Sequence, residues 1–120
     1  MKINKIIENC IDEMRSYSDG FPLYEENSKV NEGRNTAVGN IRESIDTRIS
    51  LLEEIYEGET TDTVAFGACY EMLESFINVF DDLRKDCEYG SDFDRGYLEI
   101  AQGAIDHFKK MMVYYEEHLS

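Results

Sequence analysis

The sequence predicts an all-α protein, a single-domain four-helix bundle in which the last three helices run antiparallel and a long connection follows the first helix. Three observations support this prediction. Apolar residues recur at helical spacing along the chain, and no stretch alternates with the period of two typical of a half-buried strand. The third observation is that the chain has four amphipathic stripes, which are buried when they pack against one another. A chain of 120 residues has room for one ordinary core, so residues 1–120 are expected to form one domain.

Each helix is predicted from its own apolar stripe. The first helix is expected at about residues 2–17, the second at 36–57, the third at 62–86 and the fourth at 92–118. The stripes are Ile3, Ile7, Cys10, Ile11 and Met14 in the first; Val38, Ile41, Ile45, Ile49 and Leu52 in the second; Phe66, Cys69, Leu73, Phe76 and Phe80 in the third; and Tyr97, Ala101, Ala104, Phe108 and Met111 in the fourth. Short turns at 58–61 and 87–91 then make the last three helices antiparallel.

The segment 18–35 is predicted to be a long loop. It holds the only proline of the chain and two glycines, and connections of this length inside a compact domain often carry function. Phe21, Leu23 and Tyr24 are expected to pin it to the bundle, and a short extra helix after Pro22 is an alternative. At the start of the fourth helix, Ser91 is expected to be the N-cap.

The charge excludes several classes of function. The chain has 26 acidic and 12 basic residues, a net charge of −14, which opposes direct binding of nucleic acid because affinity for phosphates comes from Lys and Arg. No apolar run is long enough for a membrane span, and no signal peptide is evident. Three cysteines without a paired framework suit a reducing compartment. We therefore expect no membrane partner and a cytoplasmic location, in a bacterium or a phage-infected host cell.

The acidic residues are concentrated in one part of the sequence. Between Glu53 and Asp94 there are 13 acidic residues against two basic ones, Arg84 and Lys85, a difference of −11. Several of these acidic residues lie at the C-terminal ends of the predicted helices. The helix dipole is negative there, so each carboxylate typically lowers stability by about 0.3–1 kcal/mol. Helix stability would favour lysine at these positions. The placement therefore indicates a role other than stabilising the helices.

These residues define a predicted partner-binding face. Carboxylates three or four apart on a helix lie about 5–6 Å apart at their Cβ atoms, which is comparable to phosphate spacing along a nucleic-acid strand. Neighbouring aromatic rings are candidate anchors, because tyrosine buries area and keeps a polar tip. The alternative is that these rings close the end of the bundle. The predicted face consists of Glu53, Glu54, Glu57, Asp81, Asp82, Asp86, Glu88, Tyr89, Phe93 and Tyr97.

A field of this sign favours a basic partner. In size and charge the chain resembles the small, acidic, helical DNA mimics that phages use against restriction enzymes and CRISPR nucleases. This resemblance implies an inhibitor that occupies the basic surface of a nucleic-acid-binding enzyme. One alternative is an immunity protein or antitoxin that blocks a basic toxin, and another is an adaptor bundle whose charge serves solubility alone. The sequence leaves a homodimer open.

A further alternative is an enzyme. EEIYE, residues 53–57, resembles the EExxE half of the all-α nucleoside triphosphate pyrophosphohydrolases of the MazG and dimeric dUTPase kind, whose second half is ExxD. Here the next helix offers Glu71 and Glu74 as ExxE, so the terminal Asp is replaced. The resemblance implies a magnesium site. We predict no catalytic residue, metal or cofactor, since a triphosphate would find few bases nearby and no glycine-rich phosphate loop is present.

Overall fold

The structure, a computed structural model, describes residues 3–87 and 90–119. Four helices make up the fold: α1 (Lys5–Asp19), α2 (Lys29–Ile55), α3 (Asp62–Asp86) and α4 (Asp92–Glu117). No strand occurs in the described part of the chain. The predicted all-α four-helix bundle is confirmed.

Each helix begins at a side chain that caps it. Asn4 Oδ1 accepts a hydrogen bond from the Ile6 amide at 2.8 Å before α1, and Thr61 caps α3 in the same way. Ser91 Oγ accepts from the Asp94 amide at 3.4 Å, which confirms the predicted N-cap of α4. These bonds satisfy amide groups that have no partner within the helix.

The predicted loop at 18–35 is wrong at both ends. The first helix continues to Asp19 and α2 begins at Lys29, seven residues earlier than predicted, which leaves a connection at 20–28. Ser28 caps α2 by accepting from the Asn31 amide at 3.2 Å. The early turns of α2 lack an apolar stripe because the buried residue there is Gly33, which packs through its backbone. Within the connection Phe21 and Tyr24 pack against the core, whereas Leu23 is 95% exposed, contrary to its predicted anchoring role.

Successive helices alternate in direction. Gly33 lies against the backbone of Phe93 and Arg34 pairs with Glu99, so α2 and α4 start together and run parallel. Arg84 near the end of α3 contacts Gln102 on α4, which runs the opposite way. Asn4 Nδ2 donates to the Thr60 carbonyl at 2.9 Å and places the start of α1 beside the start of α3. The main partner of α2 is therefore α4, and α2 packs much less against α3, the helix that follows it.

The core is aromatic at its centre. Phe76, Phe80 and Phe108 are almost fully buried, with ring centroids of Phe76 4.0 Å from Phe108 and 4.6 Å from Phe80. Cys10 and Cys69 are both buried, as their positions on the apolar stripes predict. This core fixes the four helices and so determines where the acidic residues of their ends come to lie.

Candidate functional site

The alternating helix directions divide the predicted partner-binding face into two parts. The C-terminal ends of α2 and α3 lie at opposite ends of the bundle, separated by the 25 residues of α3, about 38 Å at 1.5 Å per residue. Glu53, Glu54 and Glu57 therefore lie at one end. The predicted residues that lie at the other end are Asp81, Asp82, Asp86, Phe93 and Tyr97. Residues that are close in the acidic stretch of the sequence do not form one surface.

At the first end, α1 and α2 enclose a groove with a volume of about 680 Å³. We call it the α1–α2 groove. Its lining includes five carboxylates and one guanidinium, and the remaining lining residues are apolar or small. The full set is Ile3, Glu8, Ile11, Asp12, Arg15, Ser50, Glu53, Glu54 and Glu57. Three predicted residues thus meet two carboxylates of α1 that were not predicted.

Little basic charge compensates these carboxylates. Arg15 lies 3.6 Å from Glu53, and Lys5 lies 3.6 Å from Glu8, both in exposed pairs that contribute little to stability. Among the residues that the structure describes, Asp12, Glu54 and Glu57 form no ion pair within 4.0 Å. The last turn of α2 contains no basic residue either, so its dipole adds to the negative field.

Glu8 and Asp12 were missed because they are far from the acidic stretch in sequence. They are four residues apart, so they lie on one face of α1. That spacing is visible in the sequence, but it points to this groove only once α1 is known to pack antiparallel to the second half of α2. The Arg15–Glu53 ion pair is evidence of this packing, because it joins α1 to the second half of α2.

The second end is more nearly compensated. Asp81 pairs with Arg84 at 2.5 Å and with Lys85 at 3.7 Å. The hydrogen bond from Arg84 holds the pKa of Asp81 below its usual value. Nearby, Arg34 donates to both oxygens of Glu99, at 2.6 and 3.1 Å. Of the predicted carboxylates at this end, Asp82 and Asp86 remain exposed.

Of the predicted aromatic anchors, the two within the described residues are buried or partly buried. Tyr97 is only 6% exposed, and its hydroxyl accepts a hydrogen bond from Asn40 Nδ2 at 3.0 Å. Tyr97 therefore joins α2 to α4, and its assignment as an exposed anchor was wrong. Phe93 is partly buried against the core. Glu88 and Tyr89 lie outside the described residues.

Tyr97 is buried because α2 and α4 cross at close range. A Cβ added to Gly33 would lie 2.8 Å from the carbonyl carbon of Phe93, and one added to Gly96 would lie 2.9 Å from that of Val30. The two glycines thus bring the backbones into direct contact. The neighbouring Tyr97 is enclosed because the helices are so close.

The structure gives the magnesium site no support. Within residues 3–87 and 90–119, no three histidine, cysteine or carboxylate side chains come together in a way that could hold a metal ion. Glu71 and Glu74 are exposed on α3. Nor is any helix in the described ranges long and apolar enough to span a membrane.

Comparison with known proteins adds no relative. No protein-family model matches the chain, and neither the curated proteins nor the solved structures include a significant match.

Proposed function

We propose that this protein binds a basic partner protein through the α1–α2 groove and occupies a surface that otherwise binds nucleic acid. The observation that carries the proposal is the excess of carboxylates in the groove, with Asp12, Glu54 and Glu57 lacking ion pairs within the described chain. Lysine and arginine side chains of a nucleic-acid-binding enzyme would find there the charge that they find on phosphates. The biological role we infer is inhibition, of the kind exerted by anti-restriction and anti-CRISPR DNA mimics.

The placement of the charge supports this proposal over a purely solubilising role. Carboxylates at the C-terminal end of α2 oppose the helix dipole, and no basic residue relieves them in its last turn. A chain that needed only solubility could carry the same charge along exposed helix middles without this cost. A binding role would explain why these carboxylates are kept, because a cationic partner would offset their unfavourable interaction with the helix dipole.

The experiment is a pull-down with the purified protein as bait in a bacterial lysate, washed at low and high salt, with and without duplex DNA. We expect a nucleic-acid-binding enzyme to be recovered at low salt and displaced by DNA, because charge-driven association weakens as salt screens it. Capture that neither DNA nor salt affects, or no capture, contradicts the proposal.

Two double variants locate the binding end. Glu54→Lys/Glu57→Lys reverses charge in the α1–α2 groove, and Asp82→Lys/Asp86→Lys reverses it at the other end. Two reversals of +2 each change the net charge of −14 to −10 in both. We expect the groove variant to lower the association rate about tenfold or more and the other variant to change it much less. Equal effects would mean that net charge alone matters.

An immunity protein or antitoxin is a second candidate, favoured by one observation. The same end of the bundle exposes apolar and aromatic side chains of α4, among them Val113 at 52% and Tyr114 at 51%. An exposed tyrosine beside acidic residues is typical of an interface hot spot. In this case Tyr114→Ala should weaken binding by about 2 kcal/mol or more, a larger loss than any one charge substitution gives.

A further inference from the structure

Three helices meet at a pair of buried thiols. Cys10 on α1 and Cys69 on α3 are both 0% exposed, and Tyr115 on α4 is 2% exposed beside them. The two thiols are near enough for each to shift the pKa of the other, and Tyr115 contributes to lowering the pKa of Cys10. None of these groups belongs to the lining of the α1–α2 groove.

The backbone geometry places the Cys10 and Cys69 side chains at the same turn of α1. Cys69 Sγ lies 4.0 Å from the carbonyl oxygen of Ile6, one turn before Cys10 on α1. In a helix the Cα–Cβ bond tilts toward the N-terminus, so the Cys10 side chain covers that same turn. On α3, the small residues Ala65 and Ala68 near Cys69 are also buried.

We propose that Cys10 and Cys69 form a reversible disulfide that ties α1 to α3 when the protein meets a small diazene or disulfide oxidant. The two thiols give up two protons and two electrons, one sulfur–sulfur bond forms, and the oxidant takes up both protons and both electrons. With a disulfide oxidant, the first thiolate displaces one thiol from it, and the second thiolate displaces the other. The two sulfur atoms must approach each other to about 2.05 Å.

Access controls the rate of this reaction. The neighbouring Cys10 and burial hold the pKa of the Cys69 thiol above its usual 9.0, whereas the neighbouring Cys69 lowers the pKa of Cys10, so Cys10 is the thiol that more readily supplies the reactive thiolate. Because both thiols are 0% exposed, oxidation follows a local opening of α1, the shortest helix at 15 residues. We expect the bond to form slowly at neutral pH and faster at higher pH or in mild denaturant.

The test uses the full chain carrying Cys87→Ala, which removes the half-buried third cysteine. After treatment with diamide, a diazene, we expect a disulfide-linked peptide pair containing Cys10 and Cys69 and a Tm higher by about 5 °C or more, because the bond closes a long loop. Dithiothreitol should reverse both changes. Cys69→Ala in the same background is the control, and it should show neither.

Two results would overturn the proposal. In the first, both thiols of the Cys87→Ala protein are still alkylated on unfolding after oxidation. In the second, the linked peptides come only from protein whose circular dichroism shows that it has unfolded. If Cys69→Ala fails to fold, the peptide map of the Cys87→Ala protein decides by itself.

Discussion

Tyr97 contributes to the fold in two ways at the start of α4. Its ring fills the space beside the crossing of α2 and α4, and its hydroxyl accepts from Asn40 on α2. A buried tyrosine usually needs such a partner for its hydroxyl, since an unpaired polar group in the core is costly. We therefore assign Tyr97 to stability and not to partner binding.

Substitution of Tyr97 tests this assignment. Tyr97→Ala should lower the free energy of unfolding by about 3–5 kcal/mol, since it removes a buried ring and leaves a cavity. Tyr97→Phe keeps the ring and loses only the hydrogen bond, so its cost should be about 0.5–1.5 kcal/mol. Urea denaturation measures both. Equal losses in the two variants would show that the ring itself is not what stabilises the crossing.

His107 gives stability a pH dependence of predictable sign. Its ring stacks on Tyr17 of α1 at 4.3 Å between centroids, and burial holds its pKa below the usual 6.5, with Glu13 opposing this shift and Lys110 adding to it. The unfolded chain therefore binds a proton at a higher pH than the folded one, and stability falls as the pH drops below about 6.5.

The measurement is the free energy of unfolding of the wild type and His107→Gln between pH 7.5 and 5.5. The wild type should lose stability toward the acid side of this window, and the variant should show a flatter profile because its side chain does not titrate. A variant profile as steep as that of the wild type would place the effect on other groups.

Among the helices, the crossing of α2 and α4 depends on two glycines. A methyl group at Gly33 or Gly96 would meet backbone atoms of the other helix, which cannot move aside as a flexible side chain would. Gly39, also on α2, has no atom within 4 Å of an added Cβ. One helix thus offers both a test position and its control.

Opposite effects are expected from the two alanine substitutions on α2. Gly33→Ala should destabilise the protein by about 1–3 kcal/mol or more through overpacking. Gly39→Ala should stabilise it by about 0.5–1 kcal/mol, because alanine is the better helix former and no contact is disturbed. Thermal unfolding of both proteins checks the pair. A loss of stability in Gly39→Ala, or none in Gly33→Ala, would mean that the crossing is looser than described.

The acidic end of α2 predicts an opposition between stability and binding. Glu57→Lys places a cation at the negative end of the helix dipole and should raise stability by about 0.3–1 kcal/mol, while weakening the proposed binding. Thr47→Lys, an exposed substitution farther from the helix end, is the control and should change stability by no more than about 0.5 kcal/mol. Destabilisation by Glu57→Lys would show that Glu57 has a favourable contact.

For the molecule as a whole, the sequence predicts the elements better than the site. The bounds of α3 and α4 are within one residue of those predicted, because continuous apolar stripes and the Ser91 cap mark them. The start of α2 was missed since Gly33 is buried through its backbone and adds nothing to an apolar stripe. The acidic residues were predicted to form one surface because they are close in sequence. The opposite directions of α2 and α3 instead place them at the two ends of the bundle.

The net charge of −14 acts on the entire fold. Raising NaCl from about 0.01 to 0.5 M should raise the Tm, because the screening length falls from about 30 Å to less than 8 Å and self-repulsion weakens. A variant with Lys at Glu54, Glu57, Asp82 and Asp86 has a net charge of −6, from four reversals of +2 each, and should respond less. Scanning calorimetry measures both. An equal response would indicate a salt effect unrelated to charge.

The alternating helix directions also determine how many partner molecules one chain can hold. Exposed carboxylates occur at both ends of a molecule about 48 Å long. If both ends attract basic proteins, the chain has two separate binding sites. A compact basic patch would engage one end and leave the other open to a second copy. An elongated basic cleft would cover both ends at once. The stoichiometry of the complex would therefore report the shape of the surface that is covered.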